Sequence, residues 1–402
     1  MKTVAIISEY NPFHTGHEYQ IQKIRDEFGA DTRIVAIMSG NYTQRGEIAI
    51  MDKSARAKSA VKCGVNLVLE IPFPYSASSA EFFAKSGVKI ANELGVVDFL
   101  SFGSECGSLD DLVKVGKNML STEYTEEIAN SSKLREIGYP ERCEAIYRNL
   151  FDKDTSREFF TPNNILALEY IKALIDAESN ILPHTVLRNG ASYSEESLTD
   201  SPHQSASAIR NLITKNFNSA LDYVPTNTIE VLSHEYNSHA FPTDAEKLSS
   251  AILSHLRLNS PIKQSHIHDA KGGLYNRLYN ASFKANNLSS LITLAGTKKY
   301  TDARIRRVIW YSFFGVTSST VKELPRYTQV LAMDNVGKTI LKEVKKISDF
   351  PILTKPSDYT KLPAEAKEQK VLADKADSIF HLAKPTPPFG NSSLITTPYV
   401  MK

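Results

Sequence analysis

A turn containing two histidines lies close to the start of this chain and restricts its possible folds more than any other feature. Residues 4–7 form an apolar run that predicts a strand, and the spacing of apolar residues over 21–28 predicts a helix. His14 and His17 lie between them, with Gly16 in the same turn. A helix N-terminus offers unpaired N–H groups and partial positive charge, so it suits an anion such as a triphosphate. Two imidazoles there can donate hydrogen bonds to a leaving pyrophosphate, and Gly16 would leave room for a base or phosphate.

Two histidines near a turn also have plainer explanations, as ordinary surface residues or as a structural metal pair. The Asn-Pro-Phe sequence before the pair, at the end of a first strand, favours a nucleotide site instead. The run resembles the HxGH signature of the nucleotidyltransferase superfamily. Members of that superfamily attack the α-phosphate of ATP and expel pyrophosphate.

Length and composition indicate a globular protein of two or three domains. The chain has 402 residues, of which 42% are apolar and 23% are charged. The first apolar run is too short for a signal peptide, and no segment reaches membrane-spanning length. The three cysteines, Cys63, Cys106 and Cys143, are scattered, which predicts no disulfide framework. We therefore expect a cytoplasmic protein.

Strand and helix patterns alternate from the start of the chain to about position 110. The predicted strands cover residues 4–7, 33–38, 66–71 and 96–102, and the predicted helices between the later strands cover 52–63 and about 77–94. Such alternation predicts a doubly wound parallel α/β sheet, in which ligands bind at the carboxyl ends of the strands. His14, the Ser39-Gly40 pair and the 103–105 segment all fall at such ends.

The sequence as a whole predicts three units. Residues 1–215 would form a nucleotidyltransferase-like ATP-binding domain, and 216–328 a helical, basic, RNA-binding region. Residues 329–402 would form a small α/β C-terminal unit. Its predicted strands are 330–333 and 351–354, and its predicted helices are 337–346 and 365–382.

Three further positions stand at the predicted starts or ends of elements. Asn163 stands at a predicted helix start, where a plain N-cap explains it, and Arg188 ends a predicted short strand. Residues 205–210 place small hydroxyl side chains and Arg210 on one helix start, which is typical of a capped helix or of a phosphate site. Paired with the histidine turn, this segment resembles the ISxxTxxR element of nucleotidyltransferases, with Ser207 in the threonine position.

Residues 296–350 carry eleven Lys or Arg against five Asp or Glu. A solvated basic face is the usual explanation, but aromatic residues among the arginines of a predicted helix over 302–314 favour RNA, whose unpaired bases stack on both. The His266-Ile267-His268-Asp269 run lacks partner ligands elsewhere, so no metal site is predicted.

Taken together, several unusual motifs make the chain similar to the bacterial tRNA(Met) cytidine acetate ligase family over nearly its whole length. They are Glu9-Tyr10-Asn11-Pro12-Phe13-His14-Thr15-Gly16-His17, Met38-Ser39-Gly40 with Gln44-Arg45-Gly46-Glu47, Phe102-Gly103-Ser104-Glu105, Pro162-Asn163-Asn164-Ile165-Leu166, the 299–307 segment and Thr354-Lys355-Pro356-Ser357-Asp358. The resemblance implies that acetate and ATP give acetyl-adenylate and pyrophosphate. The wobble cytidine of elongator tRNA(Met) then takes the acetyl group on its exocyclic amine, which leaves N4-acetylcytidine and AMP.

The resemblance also implies site residues and partners. His14 and His17 would be catalytic, and Mg²⁺ would shield the triphosphate without a protein cage. The ATP-binding residues would be Ile7, Ser8, Glu9, Tyr10, Asn11, Pro12, Phe13, His14, Thr15, Gly16, His17, Glu18, Tyr19, Gln20, Gly103, Asn163, Arg188, Ser207 and Arg210. The tRNA-binding residues would be Lys298, Lys299, Arg304 and Arg307. The expected substrates are ATP, acetate and elongator tRNA(Met), with no membrane and no protein partner.

Two other functions stay open at this point. An adenylyltransferase of the same superfamily that acts on a small molecule would explain the 1–215 region but would leave the basic half unused. An RNA-binding protein with an inactive nucleotide fold is the alternative outside enzymes. The intact histidine pair and Arg210 count against it.

Overall fold

The structure is a computed structural model that describes residues 1–131, 138–153, 157–189, 197–199, 201, 203–264, 266–388 and 397–401. Its strands are β1 (Thr3–Ser8), β2 (Arg33–Ser39), β3 (Leu67–Ile71), β4 (Phe99–Ser104), β5 (Leu182–Leu187), β6 (Thr328–Met333), β7 (Ile352–Leu353) and β8 (Tyr399–Val400). Its α-helices are α1 (Thr15–Phe28), α2 (Lys53–Lys62), α3 (Ala80–Leu94), α4 (Leu109–Met119), α5 (Thr122–Asn130), α6 (Tyr139–Leu150), α7 (Pro162–Asp176), α8 (Ala206–Lys215), α9 (Phe217–Ala220), α10 (Thr226–Asn237), α11 (Ser249–Leu258), α12 (Leu274–Ser282), α13 (Leu288–Ala295), α14 (Asp302–Phe314), α15 (Ser318–Lys322), α16 (Asn335–Ile347) and α17 (Ala364–His381).

The strands form one sheet in the order β5-β4-β1-β2-β3-β6-β7, with β8 beside β6. The first five strands of that order are parallel to one another. From β1 the chain builds the sheet outward through β2 and β3, then crosses to the other side of β1 for β4 and β5. The carboxyl ends of β1 and β4 therefore border a topological switch point, the usual ligand crevice of such sheets.

Helices cover both faces of the sheet, which confirms the predicted doubly wound α/β fold. On one face Ile21 and Ile24 of α1 pack with Ala60 of α2 against β1 and β2. On the other face Phe83 of α3 and Leu168 of α7 pack with residues of α4 and α16. Because both faces are covered, the residues of β1, β2 and β3 are all buried.

Element boundaries follow local chemistry. Asp52 begins α2 by accepting the N–H of Ser54 at 3.0 Å, and Gly95, with a φ of 66°, ends α3. The fourth strand, predicted over 96–102, lies two to three residues later than expected. The residues directly after Gly95 connect the end of α3 to the sheet.

The C-terminal segment requires a correction. Residues 329–402 were expected to form a small separate unit, but β6 is hydrogen-bonded antiparallel to β3 and continues the same sheet. β7 and β8 then pair with β6. Sequence periodicity predicts strands but not their partners, so it could not show that this strand completes the edge of the first sheet. The boundaries near 215 and 328 stay predictions.

A buried ionic cluster ties α17 to the sheet. The Lys53 ammonium lies 2.7 Å from Glu70 Oε1 and 2.6 Å from Asp377 Oδ2, and the Asn41 amide donates to Asp377 Oδ1 at 2.9 Å. These four residues are all buried. The two carboxylates surround Lys53 and raise the pKa of its ammonium. Lys53 therefore stays charged and compensates both acids.

The helical region packs against the part of the chain that forms the sheet. Helices α11 to α14 share a core with Tyr42 from the loop after β2, with Phe73 from the loop after β3 and with Phe380 of α17. No helix within the described ranges is long and apolar enough to cross a membrane.

Candidate active site

The histidine turn is held by two reciprocal hydrogen bonds at the N-terminus of α1. His14 is the N-cap residue, and its Nδ1 accepts the N–H of Gly16 at 3.1 Å. Nδ1 of His17 in turn accepts the N–H of His14 at 3.2 Å. The two ring centres are 3.8 Å apart. Since each Nδ1 accepts a backbone proton, each neutral imidazole must carry its own proton on Nε2, where it is a donor.

Contrary to the prediction from the sequence, Gly16 does not leave room for a base or a phosphate. A Cβ at this position would lie 2.9 Å from Cε1 and 3.1 Å from Nδ1 of His14. The imidazole of His14 therefore occupies the space that was predicted for a base or a phosphate. The glycine allows that ring to fold back onto the turn and accept its hydrogen bond.

Both imidazoles are held neutral. Burial lowers the pKa of His14 well below its ordinary value, and the neighbouring His17 and Arg188 lower it further. Burial and Arg188 lower the pKa of His17 to about 3. The two rings are thus neutral Nε2–H donors near pH 7. A bound polyanion would favour their protonated forms, because it would offset the nearby positive charge.

A cavity of about 740 Å³ lies at the carboxyl ends of β1, β4 and β5. Its volume is within the range of sites that enclose ligands of several hundred daltons. The predicted site residues that line it are Ile7, Ser8, Glu9, Tyr10, Asn11, His14, Gly16, His17, Tyr19, Gln20, Gly103, Asn163, Arg188, Arg210, Lys299, Arg304 and Arg307. Residues predicted as ATP-binding and residues predicted as tRNA-binding therefore share one cavity.

Six predicted site residues lie outside the cavity wall, namely Pro12, Phe13, Thr15, Glu18, Ser207 and Lys298. Phe13 is fully buried in the core beneath the turn. Thr15 is hydrogen-bonded to His203 Nδ1 at 3.0 Å, and Ser207 Oγ accepts a hydrogen bond from Arg210 at 3.1 Å. Ser207 thus positions a cavity residue in this structure.

Asn163 is not the plain N-cap that its sequence context indicated. Thr161 is the N-cap of α7, and the Asn163 side-chain amide donates to Glu105 Oε1. Thr161 Oγ1 donates to the other carboxylate oxygen of Glu105 at 2.9 Å. The start of α7 is therefore fixed to the carboxyl end of β4.

Arg210 of α8 contacts two loops around the cavity. Its guanidinium donates to the carbonyl of Asn11 at 3.1 Å and to Glu47 Oε2 at 3.1 Å. Arg306 of α14 lies 3.4 Å from the other oxygen of Glu47. Glu47 thus connects α8, α14 and the loop after β2.

The basic face of α14 points into the cavity. Arg307 donates to the carbonyl of Gln44 at 3.1 Å, and Arg304 lies 3.0 Å from Asp269. Both arginines line the cavity wall, so their positive charge is directed at a bound ligand. These two arginines therefore do not form a simple solvated surface.

The expected stacking of RNA bases on the aromatic residues of α14 is wrong. Trp310 and Tyr311 are only 2% and 1% exposed. The indole N–H of Trp310 donates to the carbonyl of Gly46 at 2.8 Å, and the Tyr311 hydroxyl donates to the carbonyl of Ala77 at 2.7 Å. These rings fasten α14 to the loops after β2 and β3. Helical periodicity could not assign them to the core, because both sides of this helix are covered.

The cavity is electropositive. Seven Lys or Arg side chains line it, against three Asp or Glu side chains. The basic residues are Arg45, Arg142, Arg188, Lys299, Arg210, Arg304 and Arg307, and the acidic residues are Glu9, Glu81 and Asp269. No group of three His, Cys, Asp or Glu side chains that could hold a metal exists in the described part of the chain. The cavity suits a polyanion such as a triphosphate.

Sequence reasoning missed several lining residues. Arg142 and Tyr139 come from α6, and His203 lies over the histidine turn with its Cβ 3.6 Å from a Cβ placed on Gly16. None of the three belongs to a recognisable motif. Tyr170 of α7, with Phe83 of α3, supplies an apolar part of the wall. Only the packing of α3, α6 and α7 brings these side chains to the site.

The chain is similar to a known family and to several known proteins. A model of the HIGH Nucleotidyl Transferase family matches residues 1–391. The chain is 36% identical over 370 residues to the tRNA(Met) cytidine acetate ligase of Thermoanaerobacter sp., with 89% of this chain and 90% of that protein covered. It is 35% identical over 423 residues to the tRNA(Met) cytidine acetate ligase of Alkaliphilus metalliredigens, which covers 100% of this chain and 99% of that protein.

Two solved structures are also similar to this chain. The apo form of Thermotoga maritima TmcAL superposes with a TM-score of 0.93 at 30% identity, over 100% of both chains. The same enzyme bound with alpha-thio ATP superposes with a TM-score of 0.91 at 29% identity, over 100% of this chain and 99% of that one.

Proposed function

The chain belongs to the HIGH nucleotidyltransferase family, as one of its tRNA(Met) cytidine acetate ligases, and we propose that it acetylates the wobble cytidine of elongator tRNA(Met). In our proposal acetate reacts first with ATP to give acetyl-adenylate and pyrophosphate. The exocyclic amine of the cytidine then attacks the acetyl carbon, which gives N4-acetylcytidine and AMP.

One observation carries this proposal. His14 and His17 are neutral, mutually braced donors at a helix N-terminus, in a cavity where basic side chains outnumber acidic ones by seven to three. Negative charge grows on the β-phosphate as pyrophosphate leaves, and fixed donors stabilise such charge without reorganising. An RNA-binding protein with an inactive nucleotide fold would have no use for this arrangement.

The first step needs positioning and charge stabilisation more than acid–base chemistry. A carboxylate oxygen of acetate bonds to the α-phosphorus, and the bond between that phosphorus and the bridging oxygen of pyrophosphate breaks. Arg188 and Arg210 supply positive charge near the histidine turn. Holding two anions together in this way converts the attack into an effectively unimolecular step.

Mg²⁺ would assist this step by neutralising triphosphate charge. The carboxylates of the cavity wall are Glu9, Glu81 and Asp269. Glu81 pairs with Lys85, and Asp269 pairs with Arg304. The residues present therefore fit a cation held mainly by phosphate oxygens and water, as is usual for Mg²⁺.

The second step requires an RNA base inside the same cavity. Lys299, Arg304 and Arg307 come from the helical region and line the cavity together with the histidine turn. A wobble base is already single-stranded, so presenting it needs no flipping out of a duplex. We propose that these three side chains receive the RNA backbone next to that base, with Lys298 beside them on the exposed surface.

The two half-reactions can be tested separately. With labelled pyrophosphate and no RNA, the protein should exchange label into ATP only when acetate is present. With labelled acetate, ATP and an elongator tRNA(Met) transcript, nuclease digestion should release labelled N4-acetylcytidine. Acetyl-CoA without ATP should give none. Exchange without transfer to any tRNA would favour the small-molecule adenylyltransferase, and absence of both would favour the inactive RNA-binding fold.

A further inference from the structure

The middle of the helical region is strongly depleted in acidic residues. Residues 247–301 contain eight Lys or Arg and a single Asp or Glu, which is Asp269. That aspartate lies 3.0 Å from the guanidinium of Arg304 and is therefore neutralised. A long stretch with this asymmetry presents a nearly uncompensated positive surface to any partner.

A second cavity of about 510 Å³, which we call the α12 groove, runs along helix α12 in this region. Among the described residues that line it, none is a carboxylate. Asn276 and Asn280 are exposed one turn apart on α12, and the exposed Lys284 follows in the turn after the helix ends at Ser282. These three side chains, the stripe, present two amide donors and one ammonium donor to the groove.

The α12 groove has a rigid base. Nε of Arg277 donates to the carbonyl of Ala295 at 2.7 Å, and its Nη2 donates to the carbonyl of Leu294 at 3.2 Å. Arg277 thus satisfies the last carbonyls of α13 and fixes α12 against it. The helix that carries Asn276 and Asn280 is therefore held in place on its packed side.

Successive residues of the 299–301 segment line the catalytic cavity and the α12 groove. Tyr300 lines the groove, and its hydroxyl donates to the carbonyl of Gly272 at the start of α12. The Lys299 ammonium lies 5.2 Å and the Arg304 guanidinium 5.4 Å from the centre of the Tyr300 ring. Lys299 and Arg304 also line the catalytic cavity. Lys299 and Arg304 thus lie beside the Tyr300 ring that borders the groove.

We propose that the α12 groove binds the ribose-phosphate backbone of the RNA whose base enters the catalytic cavity. This inference rests on the proposed function, because it assumes that the cavity receives an RNA base. A repeating chain of phosphates and hydroxyls matches a row of amide and ammonium donors. Because successive residues of the 299–301 segment line the two cavities, we expect one strand to reach both.

The test uses one charge reversal with a matched control. Lys284→Glu changes the groove by two charges, and Lys345→Glu makes the same change on the exposed side of α16, which packs on the sheet. Affinity for an elongator tRNA(Met) transcript is measured by fluorescence anisotropy at 50 to 200 mM KCl. We expect Lys284→Glu to weaken binding about tenfold and to reduce the salt slope by about one. We expect Lys345→Glu to do neither.

A second variant removes the neutral donors. Asn276→Ala with Asn280→Ala preserves helix propensity and should weaken binding several-fold without changing the salt slope. Acetate-dependent exchange of pyrophosphate into ATP, measured without RNA, should be unchanged in all these proteins. That assay reports the proposed function, so its failure is separable from a failure of the α12 groove.

Two results would overturn the assignment. The first is a tRNA affinity and salt slope in Lys284→Glu equal to those of Lys345→Glu. The second is equal competition by polyglutamate and by a tRNA fragment of the same total charge, since a backbone site should prefer the phosphates.

Discussion

The double role of His14 allows its structural and catalytic contributions to be separated. Its Nδ1 caps α1 through the N–H of Gly16, and its Nε2–H is the donor assigned to the leaving pyrophosphate. Removing a side-chain N-cap typically costs about 1 kcal/mol of stability. Removing one donor that acts on transition-state charge typically costs 10² to 10³ in rate, or about 3 to 4 kcal/mol. The two losses therefore differ enough to be measured apart.

We expect His14→Ala to suffer both losses and His14→Asn to suffer only the second. Asparagine is among the best N-cap residues, so it can accept the same backbone proton while it lacks an imidazole. The free energy of unfolding should fall by about 1 kcal/mol in His14→Ala and by less than about 0.5 kcal/mol in His14→Asn. Acetate-dependent pyrophosphate exchange should fall at least about 100-fold in both.

Urea unfolding measures the first quantity, and initial exchange rates at saturating ATP and acetate measure the second. His17→Gln is the companion variant, because glutamine at the third helical position maintains the reciprocal cap. The catalytic role of His14 would be wrong if His14→Asn exchanged pyrophosphate within about threefold of the parent protein. Restored stability with normal exchange would mean that the imidazole serves only as a cap.

Three further predictions concern the surroundings of the site. The pKa of His17 is about 3 in the folded protein, against an ordinary value of 6.5. Between these two pH values the unfolded chain therefore binds more protons than the folded protein does. The free energy of unfolding should therefore fall as pH drops from 6.5 toward 3, and urea titrations should show a shallower fall in His17→Gln. Trp310→Phe should lose about 1 to 2 kcal/mol of stability with its buried hydrogen bond to Gly46, while tRNA affinity by anisotropy should stay unchanged because the ring is buried. A loss of affinity without a loss of stability would restore the stacking hypothesis. Lys53→Met should destabilise the protein by about 3 to 5 kcal/mol in urea unfolding, because two buried carboxylates lose their cation, and Lys53→Arg is the charge-preserving control. A change below about 1 kcal/mol would show that water or protonation compensates these acids.

Under the proposed function, one cavity would serve two half-reactions. The loop after β2 contacts Arg307 through Gln44 and Arg210 through Glu47. A Cβ on Gly46 would lie 2.7 Å from the backbone nitrogen of Arg307, so this loop and α14 are in close contact. The loop after β2 therefore holds Arg210 of α8 and Arg307 of α14 in fixed positions relative to each other. An acetyl-adenylate formed by one set would need to move little to reach an acceptor held by the other.

Local patterns in the chain were enough to predict most of the elements, together with several residues that the structure brings into one cavity. Apolar runs separated by helical periodicity predicted the parallel strands, because local side-chain patterns report burial directly. The histidine turn and Arg210 were predicted from motifs, and Gly103, Asn163 and Arg188 were implied by the family resemblance. The structure brings all of them to one cavity, and their roles stay predictions. Residues close together in a turn or at strand ends have positions that connectivity alone nearly dictates.

Contacts between distant segments account for what these patterns could not predict. These contacts place β6 against β3. They also bury Trp310 and Tyr311, because the loops after β2 and β3 cover that side of α14. Folding also fills the space over Gly16 with His14 and brings Arg142 from α6 to the cavity. A side chain's partners depend on which surfaces meet in three dimensions, and no local pattern in the chain encodes that meeting.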